Sequence, residues 1–174
     1  MELLSPLHFF CARRGRPPPG AVRVEPEEIP EPYRSLLVHT VDMTSTLGDF
    51  HGGGLHLEPL EVIDEPEQYA REVVLRMNGS RKPVEYGAIR IHLSRLPAVS
   101  CREIRDARRP VGALLEEHGE KMSSRPVNYL RVTPDRAVRA IFGEGSGDPL
   151  FARQNRIMNR NGECIADVLE ILPR

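Results

Sequence analysis

The chain has 174 residues, long enough to bury one core and short for two domains of ordinary size. Lysine plus arginine number 24 against 25 aspartate plus glutamate, so the net charge of -1 supplies no global field to attract nucleic acid or a membrane surface. Three cysteines with no CxxC pair, and no run near the roughly 20 apolar residues of a membrane span, predict a reduced cytoplasmic protein without disulfides or structural zinc.

The opening MELLSPLHFFCARR lacks a basic n-region and is interrupted by Pro6 and His8, which argues against a signal peptide. Proline, glycine and charge dominate RRGRPPPGAVRVEPEEIPEP, so residues 1–32 are expected to be a flexible lead-in and residues 33–174 the folded domain. YRSLLVHTVDMTSTLGDF reads as helix, split at Asp42 by a new N-cap and ended by the HGGG of residues 51–54. Residues 55–63 and 69–77 read as strands, and Asn78-Gly79 turns the second into a third at 84–93. CREIRDARRPVGALLEEHG suits two short helices broken at Pro110. VNYLRV then reads as a strand and DRAVRAIFGEG as a helical turn, while LFARQNRIMN and ECIADVLEIL flank an Asn161-Gly162 turn. Hairpins in place of strand-helix-strand alternation predict an α+β fold, a single antiparallel β-sheet with helices packed on one side.

Two charges fall on apolar strand faces. Alternation puts Arg71 with Val73, Leu75 and Met77, and Glu170 with Cys164, Ala166, Val168 and Leu172. An unpaired buried charge costs several kcal/mol even after relaxation, so each needs a partner. A structural ion pair between them would serve. So would a ligand, with arginine on its carboxylate and glutamate on a hydroxyl or proton at the far end.

At these residues the chain resembles the chorismate lyase family, cofactor-free enzymes that convert chorismate to 4-hydroxybenzoate and pyruvate. DMTSTL resembles the family's helix with its Met-Thr pair, and YAREVVL the strand whose arginine binds the product carboxylate. RRPVGALL resembles the Pro-Leu-Gly helix start, with Val111 where leucine is usual, and VLEILP the family's terminus with its site glutamate. The resemblance covers residues 36–173. It implies that Arg71 makes a bidentate carboxylate contact, that the backbone at Met43 and Val111 completes the anion site, and that Glu170 meets the ring hydroxyl. It implies Arg71 and Glu170 as the catalytic residues of a carbon–oxygen lyase that orients its substrate and offsets developing charge, with no metal or organic cofactor. A second substrate carboxylate calls for a second cation, for which Arg153 and Arg156 are the candidates.

Other signals point elsewhere or nowhere. HGGG has no accompanying GxSxG nucleophile, and the six histidines form no HExxH or i, i+4 pair. FGEGSGDP lacks the Lys-Ser or Lys-Thr of a phosphate loop and reads as a mobile lid. The expected partner is an anionic cyclic or aromatic acid, with no nucleic acid or membrane, and the expected state is a monomer or small homo-oligomer. Two alternatives stand beside the lyase: an enzyme of the same fold acting on a different cyclic or aromatic acid, and a non-catalytic small-molecule-binding domain. Effector domains of some transcription regulators share the fold, but they follow a helix-turn-helix module, and the short proline-rich segment here favours the enzyme.

Overall fold

A computed structural model describes residues 2–66, 68–106, 109–143, 145 and 147–173. The chain order is α1 (Leu7–Arg13), β1 (Gly20–Val24), α2 (Tyr33–Leu37), α3 (Met43–His51), β2 (Leu55–Asp64), β3 (Gln68–Met77) and β4 (Pro83–His92). After these come α4 (Ala98–Arg105), α5 (Val111–Glu117), β5 (Met122–Thr133), α6 (Arg136–Phe142), β6 (Leu150–Asn159) and β7 (Cys164–Leu172). All seven strands join one sheet in the order β1-β5-β6-β7-β4-β3-β2, and every pairing is antiparallel. The expected α+β class and single antiparallel sheet are what form.

Local signals explain most of these boundaries. Asp42 caps α3 by accepting from the Ser45 N–H at 2.8 Å, which is why the long apolar run divides there. Gly79 takes φ +84° in the β3–β4 turn, a conformation that costs glycine no Cβ clash. Proline-bounded α4 and α5 are the two short helices expected around Pro110. β5 begins at Met122, earlier than expected, because SSRP carries no strand signal and pairs only through its register with β6.

Helices α2 to α5 gather on one face of the sheet. Leu36, Leu37, Met43 and Leu47 pack on Leu75, Phe151 and Leu172, while Ile104, Val111, Leu114 and Leu115 pack on Tyr69, Ile89, Ile91 and Ala166. The reverse face takes α1 and α6. There Leu7, Phe10, Cys11 and Val138 pack with Val74, Tyr86, Ala88 and Leu169. Where a flexible lead-in is expected, the described residues 2–32 carry a helix and an edge strand packed into the fold. Leu4, Leu7 and Phe10 are fully buried, and β1 pairs with β5 from Gly20↔Thr133 to Val24↔Tyr129. The physical reason is tertiary: a seven-residue helix and an edge strand hold their shape only against the sheet they cover.

Candidate functional site

Between the α2–α5 layer and the sheet lies a cavity of about 350 Å³. Its floor follows from register. Arg71, Ile89, Val168 and Asn155 form one row across β3, β4, β7 and β6, and Val73, Gly87, Glu170 and Arg153 form the next. Glu85 pairs with Leu75 in the third row. Met43 and Val111, the first residues of α3 and α5, line the opposite wall. Every residue expected at the site, Arg71, Glu170, Met43 and Val111, borders this one cavity.

Their partners differ from expectation. Glu170 does not meet Arg71; it accepts from Arg153 Nε at 2.6 Å in a fully buried pair. Two strand spacings separate β3 from β7, about 10 Å between backbones, whereas β6 is the immediate neighbour and Arg153 lies directly opposite Glu170. Arg153 also donates Nη1 to the carbonyls of Leu37 and His39, so its charge is spent within the protein. Arg156 lies outside the cavity lining and pairs through Nε with Asp167 at 3.3 Å. Both expected second cations are therefore paired with carboxylates of the protein itself.

Arg71 is the opposite case. It is 2% exposed and donates Nη2 to the Arg109 carbonyl at 2.7 Å, just ahead of α5. Nε and Nη1 have no hydrogen-bond partner among the described residues. The Tyr69 hydroxyl lies alongside and helps hold the proton, but it makes no bond of hydrogen-bond geometry. Burial pushes the Arg71 pKa down, yet guanidinium stays charged in proteins. Arg71 thus lines the cavity as a buried cation whose Nε and Nη1 have no partner among the described residues. Because Nη2 keeps a second hydrogen, a side-on or end-on fork onto a carboxylate is still open.

Sequence reasoning passed over Glu85 and Asn155. Glu85 is 6% exposed, and its Oε2 has no partner among the described residues. Burial pushes its carboxyl well above the usual range; the Glu170 charge adds to this, and Arg153 opposes it. The signal was present in VEYGAIRIHL, where alternation sets Glu85 with Gly87, Ile89 and Ile91. Asn155 donates Nδ2 to Ser124 Oγ at 2.7 Å, and its Oδ1 has no partner among the described residues. Gly87 gives the floor its closeness, since a Cβ there would collide with the Leu169 carbonyl oxygen and come within 3.2 Å of Glu85 Oε1.

Elsewhere, His92, Cys164 and Asp167 bring metal-type donor atoms within 4.8 Å of one another. Both Asp167 oxygens already accept from arginine, one from Arg90 and one from Arg156, and burial raises the Cys164 thiol. That cluster works as an ion-pair network. The expected glycine-rich lid includes Glu144 and Ser146, which lie outside the described residues.

No family model matches the chain, and no curated protein matches it. Solved structures do. PhnF from Mycobacterium smegmatis superposes with a TM-score of 0.56 at 14% identity, over 78% of this chain and 65% of that one. Its separately solved effector domain gives 0.56 at 15% identity, over 76% and 88%. The possible transcriptional regulator YydK from Bacillus subtilis gives 0.52 at 14% identity, over 69% and 57%. The chain thus spans about two thirds or less of the two longer proteins and shares the fold of an effector domain. This corrects the expected carbon–oxygen lyase. The fold to which the motif order pointed is the one these regulators carry, and the glutamate assigned to the chemistry is locked onto Arg153.

Proposed function

We propose that the chain is a non-catalytic small-molecule-binding domain whose ligand is an anionic cyclic or aromatic acid. The observation that carries this reading is the Arg71 guanidinium, buried in the cavity wall with Nε and Nη1 unpartnered among the described residues. Such a charge is costly to keep dry, and a ligand carboxylate supplies the missing partner. Leu57, Val73, Ile89, Ile157 and Val168 offer an apolar slot for a ring, and the volume suits a single ring with short substituents. The effector-domain fold agrees with binding without turnover.

Isothermal titration of the purified chain with benzoate tests the reading. Arg71→Ala should weaken binding about 100-fold while leaving the circular dichroism spectrum unchanged, because truncation strands the ligand's carboxylate. Equal benzoate affinity in a folded Arg71→Ala variant would move the anion site elsewhere.

A further inference from the structure

We propose that Glu85 determines specificity in this cavity: its free Oε2 meets an oxygen at the ligand end remote from Arg71, so monocarboxylates with an uncharged polar end enter and dicarboxylates do not. The inference rests on the reading of Arg71 as the carboxylate site. It starts from position. Glu85 stands in the row of Leu75, four residues along the sheet from the row of Arg71, about 13 Å at strand rise. Its carboxyl leans over Gly87, with Oε1 within 3.2 Å of where a Cβ would sit, and Gly87 is paired with Glu170. Two carboxyl groups therefore share the pole opposite Arg71.

Charge at that pole is already settled inside the protein. Arg71 and Arg153 are the cations lining the cavity among the described residues, and Arg153 is held by Glu170 and by two backbone carbonyls. A second ligand carboxylate there would compete with Glu170 for Arg153 and would face Glu170 and Glu85 together at low dielectric. Among the described residues Glu85 makes no ion pair and its Oε2 has no partner, and burial beside Glu170 holds its carboxyl towards the uncharged form. A carboxyl in that form donates one hydrogen bond, which suits a carbonyl, ester or hydroxyl oxygen.

Three probes of one shape separate the possibilities: benzoate, monomethyl terephthalate and terephthalate, titrated calorimetrically into the wild-type chain and the Glu85→Gln, Glu85→Leu and Arg71→Ala variants. The half ester should bind about tenfold tighter than benzoate, and terephthalate about 100-fold weaker than the half ester. Glu85→Gln keeps a donor of the same shape and should retain the half-ester preference. Glu85→Leu should abolish that preference while leaving benzoate affinity unchanged. Terephthalate binding as tightly as its half ester, or a preference that survives Glu85→Leu, overturns the role of Glu85. Benzoate binding that still depends on Arg71 would then leave the anion site standing. If no probe binds, both readings fall.

Discussion

Arg71 and Arg153 are buried to the same degree on one face of one sheet, yet they have opposite fates. Arg153 lies across from a carboxylate on the adjacent strand and is satisfied at 2.6 Å; Arg71 has Ile89 across from it and no ion-pair partner among the described residues. Buried pairs of the first kind contribute little net stability when intact but cost about 3–5 kcal/mol when one partner is removed. Glu170→Leu alone should therefore destabilise by about that much in urea denaturation, because Arg153 is left charged and dry. The double variant Arg153→Met/Glu170→Leu should recover most of the loss. A double variant no more stable than the single would mean that Arg153 matters chiefly through the Leu37 and His39 carbonyls. Facing parity was legible for each of these residues in the sequence, Glu85 included. Which of them would be paired was not, because pairing depends on which strands become neighbours.

Among the elements, β2 to β4, β6 and β7 and the helices around Pro110 follow from alternation, turn residues and caps, all short-range signals. α1 and β1 do not. The apolar spacing of Leu4, Leu7 and Cys11 is helical, but a seven-residue segment beside Pro6 and ahead of PPP has little helix of its own. Its order comes from packing on Tyr86, Ala88 and Leu169. Phe10→Ala should accordingly cost about 3–5 kcal/mol, the range for truncating a fully buried aromatic. A change under 1 kcal/mol in chemical denaturation would show that α1 is peripheral to stability. At the β4–β7 junction, Gly87→Ala should cost about 1–3 kcal/mol, since its methyl group must push apart two hydrogen-bonded strands. Thermal denaturation reads this directly, and the substitution should also reduce the preference for the half ester over benzoate, because Glu85 rests over the same glycine.

At the scale of the whole molecule, stability should vary with pH in two opposed ways. His39, His51 and His92 have pKa values pushed down by burial, with nearby cations adding to it, so the folded state binds fewer protons than the unfolded chain near pH 6.5. Stability from them is present above that value and lost as pH falls through it. Glu85 works in reverse: its raised pKa lets the folded state hold a proton that the unfolded chain has released, so its contribution is lost as pH rises. Glu85→Gln should therefore gain stability relative to wild type with increasing pH, as read by melting temperature between pH 5 and 9, and a pH-independent difference would refute the linkage. By itself the sequence determined the fold class, the hairpins and which side chains share a face, because alternation and turn chemistry act over a few residues. The tertiary structure decided the rest. It ordered the sheet so that β7 lies between β4 and β6, giving Glu170 to Arg153 and leaving Arg71 open to a ligand, because strand pairing joins residues far apart in the chain.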